Sequence, residues 1–384
     1  MEGPARPDRG GPRRPGRGSP AHPGMSKREK QAIGQQILAA FRAAGAQEVA
    51  PDILLEAETL LDLYGEDIRA RAYVTQDPIR GEMMLRPDFT VPVVQMHMAN
   101  GAEPARYCYL GEVFRKQDHG ETRPEHPRDN EYLQAGFELF ARDPEADAEV
   151  FALFHDILAP LNLQASMGDM DLLMDAVRAL PLSGARRAAL LHHIWRPRRF
   201  ARLLARFATP AEARSFPESG APWTGLRSPA EMQARIDRLR GDAAEAPLAP
   251  QWVERLERLF AIGAPAPEAL RQLRELVAEI PDIAEAVDRL ERNLAALAAR
   301  GIDVGAVHFD ASHGRHTMEY YDGMTFSFAA AGHEDWPPVA SGGRYDALAA
   351  VLGQAQGRSI PAVGGIIRPG LVHELGGQIL GKAA

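Results

Sequence analysis

One cysteine, Cys108, occurs in 384 residues. A single thiol excludes an intramolecular disulfide framework and a cysteine-rich zinc site, and it fits a reducing cytoplasm. Lying in the apolar segment Tyr107–Leu110, it reads as a small buried hydrophobe rather than a reactive group. Positive charge is not in excess either. The 44 Lys and Arg stand against 52 Asp and Glu, and the net charge of -8 gives no overall drive toward nucleic acid or an anionic membrane. No apolar run approaches the length of a membrane span. The Arg-, Gly- and Pro-rich start has no apolar centre of the kind a signal peptide needs. It also has almost nothing to bury, so residues 1–25 are expected to be a disordered tail, with translation starting at Met25.

What is present centres on Arg106–Phe140. In Glu131–Phe140, Leu133, Ala135, Phe137 and Leu139 alternate with Gln134, Gly136 and Glu138, the period of a half-buried strand. Gln134 and Glu138 then share a face about 13 Å apart, at about 3.3 Å per residue. Gly136 between them would let a flat ligand approach the backbone. The preceding segment, Tyr107–Arg115, carries Tyr107, Tyr109, Gly111, Val113 and Arg115 on one face. The connection Lys116–Asn130 is far longer than a hairpin loop and rich in charge, His and Pro. Two readings follow: a ligand-binding sheet face with a lid, or a half-buried antiparallel sheet whose polar face meets water.

Along the rest of the chain, Lys27–Ala44 has helical spacing and stops before Gly45. Ile53–Tyr64 repeats that spacing. Tyr73–Thr75 and Met83–Leu85 look like strands, the second entering Arg86-Pro87-Asp88-Phe89-Thr90. There Asp88 or Thr90 caps the helix Val93–Ala99, or Asp88 faces a ligand's ammonium. Ala146–Leu158 is an amphipathic helix with Asp147 near its start. From about Met170 to Arg300, Leu, Ala, Arg and Glu recur at helical spacing. Within it Arg196–Arg206 is either a basic patch or a solvated helix face. His192 and His193 are adjacent, so on a helix they diverge by about 100°, unsuited to one metal. Strand signals return at Ala306–Phe309, Met318–Phe328, Ser341–Asp346 and Ala362–Ile367. Gly342 and Gly343 suggest close backbone approach to a ligand, or only a turn. Sheet segments at both ends around a helical middle give an α+β fold. The division expected is a core of residues 26–168 and 301–384 with a helical insertion at 169–300.

In this order the segments resemble the catalytic core of a class II aminoacyl-tRNA synthetase, of the histidyl type. The matches are Val49-Ala50-Pro51, Leu85-Arg86-Pro87-Asp88-Phe89-Thr90, Phe114-Arg115, Gln134-Ala135-Gly136-Phe137-Glu138, Glu319-Tyr320-Tyr321-Asp322-Gly323, Gly342-Gly343-Arg344-Tyr345-Asp346 and Pro361-Ala362-Val363-Gly364. They imply an antiparallel sheet flanked by helices. The departures concern adenylation, which needs cations against phosphate. Arg115 matches the α-phosphate arginine. Gln117 stands for a glutamate, His316 for an arginine with Arg315 one residue off, and Leu371 for the last arginine with Arg368 three residues early. Nothing up to Ala384 resembles an anticodon-reading domain, so the chain is expected to lack one.

The groups that hold histidine in that family are better matched. Asp88 (for a glutamate), Thr90, Arg115, Gln134, Glu138, Tyr320, Tyr321, Gly342 and Gly343 are the candidate histidine-binding residues. An amino-acid pocket beside an altered adenylation site looks like the synthetase-like regulatory subunits of ATP phosphoribosyltransferase. The resemblance implies no catalytic residue, metal or cofactor of the chain's own. It implies L-histidine as ligand, the short-form catalytic subunit as partner and dimers through the core. The alternatives are an active histidyl-tRNA synthetase and a stand-alone histidine-sensing module.

Overall fold

Helix α1 (Pro23–Ala43) buries Ile33, Ile37, Leu38 and Phe41. It ends at the predicted glycine: Gly45 adopts φ +88°, and the N–H groups of Gly45 and Ala46 return to the carbonyls of Arg42 and Phe41, closing off carbonyls the helix leaves open. The computed structural model describes residues 23–64, 68–116, 130–211, 215–216, 226–315 and 320–379. The proposed lid falls largely on 117–129, outside the described residues, as do residues 1–22 of the expected tail. Residues 23–25 already belong to α1.

After β1 (Gln47–Glu48), the stretch expected to be one helix splits into β2 (Leu54–Glu56) and α2 (Ala57–Tyr64). The strand forms because Leu54, Leu55 and Glu56 pair with Leu85, Met84 and Met83, a tertiary ladder that overrides local helical spacing. Short helix α3 (Ile68–Arg71), β3 (Val74–Asp77) and β4 (Gly81–Leu85) complete a three-stranded sheet ordered β2-β4-β3, and α4 (Thr90–Asn100) follows.

The long hairpin β5 (Ala105–Phe114) and β6 (Glu131–Phe140) pairs residue for residue from Ala105↔Phe140 to Phe114↔Glu131. Next come α5 (Ala146–Leu158), β7 (Gln164–Asp169) and a helical stretch: α6 (Met170–Arg178), α7 (Gly184–His192), α8 (Pro197–Phe207), α9 (Pro229–Ala244), α10 (Pro250–Phe260), α11 (Ala266–Val277) and α12 (Ala284–Ala299). A short strand, β8 (Gly263–Pro265), interrupts it, too brief to show a period. The chain closes with β9 (His308–Asp310), β10 (Met324–Ala329), β11 (Ala340–Arg344), α13 (Asp346–Gly353), β12 (Ala362–Ile367) and α14 (Pro369–Glu374).

Among the described residues the main sheet has nine strands in the order β1-β5-β6-β12-β11-β10-β7-β9-β8, antiparallel except for β1 with β5 and β7 with β9. The predicted alternation in β6 decides where its faces go. Ala135, Phe137 and Leu139 join Cys108, Phe41 and Phe154 in the large core, which runs on into the helical stretch through Leu190, Phe200, Leu273 and Leu290. The opposite face packs a second cluster: Phe89, Val93, Tyr107, Tyr109, Phe140, Tyr321, Tyr345 and Leu348. Cys108 is a buried packing residue, and burial pushes its thiol up to about 11. On α8, Phe200, Leu204 and Phe207 are buried while Arg198, Arg199 and Arg202 face water.

Candidate functional site

The second face of β6 carries a buried polar cluster. Glu138 is 1% exposed and accepts three hydroxyl hydrogen bonds, from Tyr109 at 2.9 Å and Thr90 at 3.2 Å on Oε1 and from Tyr345 at 2.6 Å on Oε2. Tyr320 reaches Thr90 at 3.4 Å. Four segments distant in sequence therefore meet here: the start of α4, strand β5, the Tyr320–Gly323 turn and the end of β11. Tyr109 lies opposite Gly136 across the hairpin, stacked on Phe89 with ring centroids 4.2 Å apart. Gly364 is the cross-strand partner of Glu138, and a Cβ there would sit 1.6 Å from Glu138 Oε2. The missing side chain is what admits the carboxylate.

Burial drives the electrostatics. Desolvation raises Glu138 to about 7, opposed by the hydroxyls of Tyr345, Tyr109 and Thr90, with the neighbouring Asp88 carboxylate adding to the rise. Asp88, 5% exposed, is also raised by burial, opposed by the Arg115 guanidinium and by the N–H groups of Val91 and Thr90. One Asp88 oxygen accepts the Val91 N–H at 3.3 Å, the helix-start role expected of it, although Phe89 is the formal cap residue. The other, Oδ2, is buried with no hydrogen-bond partner, and so is Gln134 Oε1. A buried acceptor left unmatched costs about 1–3 kcal/mol. Two such acceptors, with the buried Glu138 carboxylate near one of them, Asp88, suit a ligand that brings N–H donors and a positive charge.

Asp88, Thr90, Glu138, Tyr320 and Tyr321 come together. Gln134 lies on the same face of β6, opposite Gly111, whose missing Cβ space is taken by Arg86 and Phe89. Arg115 donates from Nε to the Pro87 carbonyl at 2.7 Å, next to Asp88. Gly343 faces Tyr321. Gly342 does not face the cluster: a Cβ there would strike the Gly364 carbonyl at 2.2 Å and the Phe326 ring at 2.5 Å on the main-core side. Gly136 also departs from expectation, since the Tyr109 ring, rather than a ligand, covers it. Tyr109, Tyr345 and Gly364 are the site residues that went unassigned. An aromatic residue facing a glycine across a hairpin was the available signal for Tyr109.

Among the described residues, Leu371 fills its position by packing, and the nearby arginines donate to backbone carbonyls. Arg315, 6% exposed, lies over the rings of Phe200 and Phe260 and donates to the Ile194 carbonyl at 2.9 Å. Leu371 packs against the main core, and Arg368 donates to the Pro338 carbonyl at 2.6 Å. Gln117, His316 and Glu319 lie outside the described residues. Met318–Phe328 was expected to be a strand. Among the described residues it begins only at Met324, because Asp322 turns its carboxylate to the N–H groups of Asp346 and Ala347 at the start of α13. Among the described residues no group of His, Cys, Asp and Glu could hold a metal ion, and no helix is long and apolar enough to cross a membrane.

A largely antiparallel sheet with helices on its faces and a buried carboxylate cluster between its strands and α4 defines a class II aminoacyl-tRNA synthetase-like protein. The histidyl-tRNA synthetase family model matches residues 22–368. The ATP phosphoribosyltransferase regulatory subunit of Agrobacterium fabrum is 31% identical over 361 residues, 86% of this chain and 92% of that one. That of Mesorhizobium japonicum is 30% identical over 365 residues, 87% and 94%. Among solved structures, an ATP phosphoribosyltransferase regulatory subunit/histidyl-tRNA synthetase from Bacillus halodurans superposes with TM-score 0.65 at 19% identity, covering 91% of this chain and 79% of that one. A histidyl-tRNA synthetase from Nostoc gives 0.62 at 17%, covering 91% and 72%. The chain belongs to the histidyl-tRNA synthetase-like family of ATP phosphoribosyltransferase regulatory subunits.

Proposed function

We propose that this chain is a non-catalytic regulatory subunit that a short-form ATP phosphoribosyltransferase catalytic subunit needs for activity, and that makes the enzyme sensitive to L-histidine. The reaction is the first step of histidine biosynthesis, in which ATP and phosphoribosyl pyrophosphate give phosphoribosyl-ATP and pyrophosphate in the cytoplasm. The catalytic partner, a glycosyltransferase, supplies the groups for that transfer. The names of the relatives support the partnership. The core of residues 26–168 and 301–384 forms dimers, and residues 169–300 act as a helical insertion.

The observation that carries the histidine assignment is the buried, unmatched Asp88 Oδ2 near Glu138, with Gln134 Oε1 unmatched further along the same face of β6. The ligand's α-ammonium is assigned to Asp88 Oδ2 and Gln134 Oε1, its carboxylate to Arg115, and its imidazole to the side holding Glu138, Tyr320 and Tyr321. Feedback then requires histidine to favour the less productive state of the complex, with a coupling of about 1–3 kcal/mol. Titration calorimetry with L-histidine tests the pocket, and Asp88→Asn should weaken binding at least tenfold, about 1.4 kcal/mol. Histidine-dependent ATP–pyrophosphate exchange at a useful rate would instead make the chain a synthetase.

A further inference from the structure

Helix α12 buries Ala286, Val287, Leu290, Leu294 and Leu297, and in the same buried stripe stands Asn293, 2% exposed. A leucine would be the ordinary occupant of that position. Asn293 Nδ2 instead donates to Asp147 Oδ2 at 3.3 Å. Asp147, 1% exposed on α5, receives the Arg344 guanidinium on its other oxygen, from Nε at 2.9 Å and from Nη2 at 2.6 Å. The remaining arm of Arg344 reaches Asp346 at 3.2 Å, and its stem lies against Gly323, two residues past Tyr321.

Side chains alternate along β11. Gly342 and Arg344 point to the α5 side, while Gly343 and Tyr345 point to the pocket. Tyr345 is thus flanked by two clamped residues, Arg344 held by Asp147 and Asp346 held by the Ala362 N–H at 2.8 Å and, through its own N–H, by Asp322 at 2.9 Å. Its hydroxyl is the 2.6 Å donor to Glu138. A shift of the Arg344 fork moves the next residue along the strand, and a hydroxyl 2.6 Å from its acceptor has little room to follow.

We propose that Asn293 and Asp147 are positioning residues of the pocket, which set its grip on an amino-acid ligand by holding Arg344 and, through it, the Tyr345 hydroxyl on Glu138. This rests on the amino-acid pocket assigned above. It goes beyond it in making helix α12, which contributes no atom to the pocket cluster described, a determinant of affinity. A partner that displaces α12 would then change histidine binding without touching the pocket.

The test is a double-mutant cycle on the full chain, titrating L-histidine calorimetrically into wild type, Asn293→Ala, Tyr345→Phe and the double variant. Asn293→Ala should weaken binding about fivefold or more, the low end of coupling between sites. In the Tyr345→Phe background, where the hydroxyl is already gone, it should weaken it no further. If Asn293→Ala does not fold, Asn293→Ser keeps a short donor and gives the same comparison at smaller amplitude. An unchanged affinity with a lowered melting temperature would show Asn293 to be structural only and overturn the proposal. So would an equal loss in both backgrounds, because the effect would then bypass Tyr345. Wild type that binds no histidine would defeat the pocket assignment and this coupling with it, whereas a binding wild type with an indifferent variant defeats the coupling alone.

Discussion

Replacing Glu138 by Gln should make the unliganded protein more stable at pH 8 and leave it nearly unchanged at pH 4. In the folded chain Glu138 titrates near 7 instead of 4.5 because it is buried, so the fold binds that proton more tightly than the unfolded chain does. Its contribution to stability is therefore full below about pH 4.5 and is lost as the pH rises through about 7. Above both values the loss amounts to about 3 kcal/mol. A glutamine of the same shape stays neutral throughout. Tyr109 and Tyr345 can meet it, since a phenol both donates and accepts. Urea unfolding at the two pH values measures the difference, in which other titrating groups cancel. The expected gain is about 1–3 kcal/mol at pH 8 and close to zero at pH 4. The same variant should lose histidine binding, the two effects together marking a carboxylate kept for a ligand at the expense of the empty fold. An equal change at both pH values, or a loss concentrated at pH 8, would refute the buried-carboxylate account.

Gly364→Ala places a methyl group where Glu138 Oε2 lies. It should displace the carboxylate from Tyr345, cost about 1–3 kcal/mol in a melt and weaken histidine binding; unchanged calorimetry would count against the packing described. Asp147→Ala leaves Arg344 buried without its main counter-charge and should cost about 3–5 kcal/mol by urea unfolding, whereas a loss under about 1 kcal/mol would mean that the pair is solvated. Arg315→Met should leave stability within about 2 kcal/mol, since a buried cation between two rings is replaced by an apolar chain. It should leave histidine affinity unaltered, and a loss of binding would place Arg315 at the site.

Much of the architecture was legible because its signals are local. The alternation of Glu131–Phe140 marked both the bounds of β6 and the face that became polar. The helix Ala146–Leu158 and the strand Ala362–Ile367 were likewise readable with their observed ends. The failures share a non-local cause. Leu54–Glu56 is a strand only because Met83–Leu85 pairs with it. Gly342 and Gly343 are identical in sequence terms, yet register sends one toward Phe326 and the other toward Tyr321. Gly136 gave no hint that Tyr109, on the preceding strand, would cover it. Arg344 pairs locally with Asp346, but its stronger partner is Asp147, 197 residues away in the chain.

The regulatory role is tested most directly by measuring phosphoribosyl-ATP formation by a purified short-form catalytic subunit with and without this chain, and with and without L-histidine. The account predicts little activity from the catalytic subunit alone, a large rise when this chain is added, and suppression of that rise by histidine that Asp88→Asn relieves. A catalytic subunit equally active with and without the chain would contradict it.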